Sequence, residues 1–221
     1  MKLNDCVGRL YENRFHGIQD RKQRAWEVIC RQALQPWISK DARVLDLGGG
    51  YGEFVRHIQA ARKYVVDINP KTMDIVRSYA EGLNGTLDSF EARLAGNVDV
   101  IFCSNFLEHL PTKDVLVETV ECCRRILAPG GRLIVLGPNI RFLAGEYWDF
   151  LDHHLALSDR TMDELLAVTG FRVIHRRAAL LPYTFRQRLP SWPWLVSLYL
   201  KLPPAQWLLG KQFLFVAEKP A

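Results

Sequence analysis

From Arg43 to Gly52 the chain reads RVLDLGGGYG, a short apolar run that meets four glycines within five positions. No other stretch limits the fold so tightly. Glycine takes positive φ without steric cost and has no side chain, so such a turn can fold sharply and let a ligand approach the backbone. A second apolar run, Tyr64-Val65-Val66, ends on an acid, Asp67. Strand, glycine turn, helix, strand and terminal acid follow the order of a nucleoside-binding βαβ unit.

The alternation continues along the chain. Strands are expected at Val44–Leu47, Tyr64–Ile68, Leu83–Leu87, Val98–Cys103, Arg132–Leu136, Phe171–Ile174 and Gln212–Glu218. Helices are expected at Gly52–Ala61, Pro70–Ala80, Thr112–Leu127 and Ser158–Val168, with Pro70 at a first helical position and Pro129-Gly130-Gly131 and Gly170 as stops. Repeated βα units followed by two closing strands predict a three-layer, doubly wound α/β fold with a mostly parallel sheet. A single domain of 221 residues is expected: a helical cap or lid over 1–40, a cofactor-binding core over 41–180, a Pro/Trp-rich insertion over 181–210, and a last strand and tail over 211–221. In the cap, Trp26, Ile29, Ala33 and Leu34 recur at helical spacing before Pro36.

Ligands on open α/β sheets bind beyond the carboxyl ends of the strands, so the residues after each strand are the candidates. The glycine turn excludes a dinucleotide cradle. A G-x-G-x-x-G fingerprint would need its third glycine at Glu53 or Val55, and the acid at Glu53 would repel a pyrophosphate. No G-x-x-x-x-G-K-[ST] occurs either. A ligand with ribose hydroxyls and a cationic centre but no phosphate fits better, with Asp67 placed to accept both hydroxyls.

VLDLGGGYG, VVDIN, DVIFCSNFLEHL and LAPGGRLIVLGPN together resemble the successive motifs of class I S-adenosylmethionine-dependent methyltransferases, in the right order over roughly residues 40 to 180. The resemblance implies a seven-stranded Rossmann-like sheet with its last strand antiparallel. It implies that Gly48 and Gly50 cradle the methionine portion of S-adenosylmethionine and that Asp67 holds the ribose, with Asp46, Gly49 and Ile68 also expected to bind the cofactor. Asp88 and Ser89 would flank the adenine, and Ser104, Asn105 and Phe106 would floor the site near the sulfonium. The longer layout, from YENRF through PNIRF and YWDFLDHH to LLGKQFLFVAEKP, is similar to bacterial methyltransferases of glycan or secondary-metabolite pathways.

Methyl transfer is a displacement in which acceptor, methyl and sulfur must be held in line and water excluded. A base is required only where the acceptor must lose a proton. The candidates are His153 or His154, with Asp152 as orienter, and His109, whose bland reading is packing or helix capping. Asp152-His153-His154 holds metal-ligand types, but without a second cluster at ligand spacing no metal is expected. Candidate acceptor contacts are Tyr11, Arg14, Asn139, Arg141, Tyr147 and Trp148. The resemblance implies a [DN]-P-P-[YF] motif after the fourth strand for methylation of a base amino group; Asn105-Phe106-Leu107 stands there instead, which argues against that acceptor. An O-methylated small molecule or glycan-type acceptor is the favoured reading. The alternatives are a SAM-fold binding or regulatory protein without catalysis, and a methyltransferase that meets nucleic acid or a membrane surface.

Composition narrows these classes further. The net charge of +5 is mild and its basic residues are scattered, which does not indicate nucleic acid. Five cysteines without a CxxC pair fit a reducing compartment. The first residues, MKLNDCVGRLYENRF, lack the apolar core of a secretory signal, and a cytoplasmic protein is expected. Leu180–Gly210 concentrates five of the eleven prolines and three of the six tryptophans. Its bland reading is an insertion packed on the sheet edge; the sharper ones are a lid, or a surface for lipid or a partner through residues 189–209.

Overall fold

In a computed structural model, residues 19–183 and 192–221 are described; Tyr11, Arg14 and residues 184–191 of the proline-rich stretch fall outside them. The chain begins with α1 (Gln19–Ile29), continued by a π-helical turn over Cys30–Leu34. The core then runs β1 (Arg43–Leu47), α2 (Glu53–His57), β2 (Arg62–Asp67), α3 (Pro70–Val76), β3 (Glu81–Asn84), α4 (Glu91–Leu94) and β4 (Val98–Ser104). It continues through α5 (Lys113–Ile126), β5 (Leu127–Pro138), α6 (Ile140–Leu143), α7 (Asp159–Val168) and β6 (Arg172–Leu181), and closes with α8 (Pro193–Lys201), α9 (Pro203–Leu209) and β7 (Gln212–Glu218).

The seven strands form one sheet in the order β3-β2-β1-β4-β5-β7-β6, with β7 antiparallel to both its neighbours. The order reverses between β1 and β4, which places a crevice at their carboxyl ends. Alternation within the strands builds both faces. On β4, Ile101 and Cys103 join the apolar layer shared with Leu116, Val120, Met162 and Leu166 of α5 and α7. Val100 and Phe102 point the other way, into the layer formed with Trp26, Ile29, Phe54 and Ile58. A central strand buried on both faces reads as a continuous apolar run for this reason.

Local signals account for the ends. Thr112 and Ser158 cap α5 and α7 by accepting from the backbone N–H of Val115 and Thr161, at 3.2 and 3.1 Å. Asn69 caps α3, with Pro70 in its first turn.

Several boundaries differ from the sequence expectation, among them that of α3, which ends at Val76 and not at Ala80. The helix after the glycine turn ends at His57, because Ile58 turns extended and buries itself while Ala61 N–H bonds back to Ala42 O at 3.0 Å. The third strand lies at Glu81–Asn84, ahead of the expected 83–87, since its register on β2 pairs Tyr64 with Glu81. β5 starts at Leu127 because Gly130 N–H and Lys219 N–H reach across to Lys219 O and Gly131 O, carrying the Pro-Gly-Gly turn into the sheet. β6 runs on to Leu181, held by antiparallel pairing on β7 in spite of its charged outer residues.

The second half of the proline-rich insertion is helical. Pro193 and Pro203 sit in the first turns of α8 and α9, where a missing N–H costs nothing. Gln32 Nε2 donates to Ser197 Oγ at 2.7 Å and Tyr199 OH to Leu180 O at 2.7 Å, tying α8 to the cap and to β6. The outer faces of α8 and α9 leave Trp192, Trp194, Leu198, Trp207 and Leu208 exposed. Among the described residues no helix is long and apolar enough to cross a membrane.

Candidate active site

The glycine turn stands at the crevice. Gly48 has φ +74°, and a Cβ there would lie 2.6 Å from Phe106 Cδ2, so only glycine lets the Phe106 ring close over the turn. Gly49 is equally constrained, since its Cβ would meet Val65 Cγ1 at 2.4 Å. The turn is pinned to β2 by Gly48 N–H donating to Val66 O at 2.8 Å.

Asp67 completes the cradle. Its Oδ2 accepts from Gly50 N–H at 2.9 Å and its Oδ1 from Asn69 N–H at 2.8 Å. A carboxylate has about four lone-pair sites, so it has capacity for a ligand beside these two bonds. Burial raises the Asp67 pKa, and the bonds from Asn69 and Gly50 oppose that rise.

Two more carboxylates lie behind the turn. Asp46 is buried at the end of β1, and its pKa is pushed well up by burial and by the charges of Glu53 and Asp67. Glu53 pairs with Lys22 of α1 at 2.7 Å. The turn therefore gathers three carboxyl groups where a phosphate would have to sit, and a cationic ligand beside them favours their ionised form. This fits the sulfonium and amino group of S-adenosylmethionine, and the half-open Asp67 fits its ribose.

The floor comes from the end of β4. Asn105 has φ +48°, a positive value found in no other non-glycine residue among those described, and its N–H donates to Leu136 O at 2.9 Å. Asparagine tolerates this conformation better than most residues. It turns the chain so that Phe106 crosses the glycines. Ser104 Oγ accepts from Asn105 Nδ2 at 2.9 Å. On the opposite side Ile68, Asp88 and Ser89 are exposed at the ends of β2 and β3, forming an open rim.

Beyond Phe106, a 3-10 turn over Leu107–His109 sets two chemically active side chains beside the loop that follows α6. His109 Nδ1 lies 2.8 Å from Asp152 O and 3.4 Å from Asp152 Oδ2. Asp152 therefore orients His109, whereas the sequence pairs it with its own neighbours. His153 packs edge-on to His109 at 5.0 Å and stacks on Phe150, and Tyr183 OH is 3.4 Å from its Nε2. His154 is exposed; its backbone N–H donates to Glu108 O at 2.9 Å. The structure brings His109 and His153 together and leaves the His154 ring outside.

Three of the expected acceptor contacts are taken up by the scaffold. Asn139 is wholly buried and its Nδ2 donates to Asp159 Oδ1 at 2.9 Å and Ala178 O at 3.0 Å. Arg141 and Arg176 both bond Asp159, at 2.8 and 2.6 Å. Burial alone would raise the Asp159 pKa, but the bonds from Asn139, Arg141 and Arg176 hold it down to about 2. Tyr147 is fully buried; its OH donates to Leu155 O at 2.6 Å and accepts from Leu157 N–H at 3.1 Å. These side chains hold the loops around the crevice, and among the described members of the group only Trp148 presents an exposed ring.

Sequence reasoning passed over Glu108, Asp159 and Lys22. Glu108 stood next to His109 in FLEHL, and Asp159 directly after the Ser158 cap, so each was visible only as a neighbour of something else. Lys22 carried no local signal; the fold alone brings it to Glu53.

Residues 11–176 match a family described as a methyltransferase domain. The ubiquinone biosynthesis O-methyltransferase of Aromatoleum aromaticum is 29% identical over 122 residues, covering 49% of this chain and 51% of that protein. The ubiquinone/menaquinone biosynthesis C-methyltransferase UbiE of Rhizobium meliloti is 29% identical over 126 residues, covering 51% and 48%. The chain thus spans about half the length of these relatives. A SAM dependent methyltransferase from Archaeoglobus fulgidus shares the fold with a TM-score of 0.64 at 18% identity, over 94% of this chain and 97% of that one. The glycine turn, its carboxylates and the domain match agree: the chain belongs to the class I S-adenosylmethionine-dependent methyltransferase family.

Proposed function

We propose that the protein transfers a methyl group from S-adenosylmethionine to a hydroxyl oxygen of a small-molecule, glycan or lipid-linked acceptor. The observation that carries this reading is the cradle in which Phe106 lies over Gly48 while Asp67 bonds Gly50 and keeps acceptor capacity outward. When bound, the cofactor supplies an electrophilic methyl group on a positively charged sulfur. Gly48 and Gly50 admit the ligand to the backbone, Asp67 orients the ribose, and the Asp46, Glu53 and Asp67 carboxylates favour a cation there.

His109 and His153 stand next to this floor, with His109 held by Asp152. An acceptor hydroxyl that must lose its proton meets two imidazoles there, which is the support for oxygen as the acceptor atom. The relatives named for ubiquinone biosynthesis are support for a small-molecule acceptor. The exposed tryptophans and leucines of α8 and α9, with exposed Lys201 at the end of α8, suit the lipid part of a lipid-linked acceptor. A cytoplasmic site of action is part of this proposal.

The test is methyl transfer from [methyl-13C]S-adenosylmethionine into a cell extract, followed by NMR of the labelled products. The reading requires label in methoxy carbons; label confined to N-methyl or C-methyl products would remove it.

A further inference from the structure

The 3-10 turn after β4 and the loop after α6 converge on a third chemistry that the cofactor cradle does not use. One ligand atom each from Glu108, His109 and His153 lie within 4.8 Å of one another. Glu108 is 1% exposed, and its Oε1 has no hydrogen-bond partner among the described residues. That oxygen lies 4.0 Å from His109 Nε2, too far for a hydrogen bond. An ionisable oxygen buried without a partner is costly, and such a group in a native fold calls for an explanation.

We propose that Glu108, His109 and His153 form a binding site for a divalent transition-metal cation at the edge of the methyl-transfer crevice. Two imidazoles and one carboxylate are a donor set that zinc and similar first-row cations take, and that magnesium does not favour. The surroundings are those of a ligated histidine. His109 Nδ1 is directed at the Asp152 carbonyl at 2.8 Å, which fixes the tautomer and leaves Nε2, the nitrogen facing Glu108, with its lone pair free. Aromatic packing from Tyr147 and Phe150 holds the His153 ring in place.

The dimensions allow it. A cation centred among atoms at most 4.8 Å apart would lie within about 2.8 Å of each, against roughly 2.0–2.2 Å in bound zinc sites, so shifts of under about 1 Å close the site. The sequence conceals the cluster because Asp152-His153-His154 and Glu108-His109 are separate in the chain, and neither pair alone has ligand spacing. Phe106, which covers Gly48, is only two residues from Glu108. A cation there would keep a coordination position for an acceptor oxygen, and with it bound the loss of the acceptor proton would be promoted by the cation and not by His109 and His153 as free bases.

The experiment uses chelator-stripped full-length protein and the metal alone. Zn2+ affinity is measured by competition with a chromophoric chelator, and Co2+ is added as a spectroscopic probe. One equivalent per chain is expected, with ligand-field bands of nitrogen and oxygen donors and no thiolate charge-transfer band. Glu108→Gln and His153→Asn should each weaken Zn2+ by at least tenfold, with folding checked by circular dichroism. No stoichiometric binding, a thiolate band, or unchanged affinity in both folded variants overturns the proposal. Where a variant fails to fold, the Co2+ spectrum of the wild-type protein still decides between the two outcomes. Because the readout is metal binding, failure here leaves the methyl-transfer reading standing.

Discussion

Replacing Gly48 by alanine tests the geometry of the floor, and its cost separates into two parts. The native φ of +74° is left-handed, which costs an alanine about 1–2 kcal/mol. The new Cβ would lie 2.6 Å from Phe106 Cδ2, so the ring must retreat by about 1 Å, an overpacking strain of roughly 1–3 kcal/mol. Gly48→Ala should therefore destabilise the protein by about 2–5 kcal/mol. Phe106→Ala removes the second part and leaves the first. In a double-mutant cycle measured by urea denaturation, the combined variant should lose about 1–3 kcal/mol less than the sum of the single variants. Additivity within about 0.5 kcal/mol would mean that Phe106 does not lie over the turn, and the floor would have to be redrawn.

Other consequences are open to direct measurement. Asp159 has a folded pKa held to about 2 against about 3.9 in an unfolded chain, so its contribution is full above that higher value and lost as pH falls towards the lower one. The stability difference between wild type and Asp159→Asn should accordingly shrink between about pH 4 and pH 2; a constant difference in acid denaturation would count against the Arg141–Asp159–Arg176 network. Burial raises the thiol pKa of Cys30, Cys103 and Cys123, and that of Cys122 to about 12, so alkylating reagents should label none of these four in the native protein at neutral pH. Rapid labelling of any of them, read by peptide mass spectrometry, would show that the described core is wrong at that point. Trp194→Ala combined with Trp207→Ala removes two exposed rings, and should leave thermal stability within about 0.5 kcal/mol while reducing flotation with phospholipid vesicles. Equal flotation would detach α8 and α9 from the proposed role with a lipid-linked acceptor.

What could be read from the sequence divides along physical lines. β1, β4 and β7 were legible because strands buried on both faces leave continuous apolar runs, and α5 and α7 because their Thr112 and Ser158 caps are local chemistry. The glycine turn and Asp67 were legible for the same reason: positive φ and a strand-end acid are written into adjacent residues. β6 was cut short because its charged outer face hides a strand whose order comes from pairing with β7, a partner close to the end of the chain. The loops resisted for a related reason. Asn139, Arg141 and Tyr147 look like free polar groups in one dimension, yet long-range partners such as Asp159 and Leu155 O consume their hydrogen bonds. Asp152 likewise reaches across to His109, which no spacing rule reports.

Cofactor binding to the Asp67 cradle is the claim on which the rest depends, and isothermal titration with S-adenosylmethionine tests it most directly. Asp67 offers charge-assisted hydrogen bonds whose loss costs about 1–3 kcal/mol, or a weakening of roughly 5- to 150-fold. The account predicts one site per chain in the wild type and a weakening of that size in Asp67→Ala, with the fold verified by circular dichroism. Absent binding in the wild type, or equal binding in the folded variant, would contradict it.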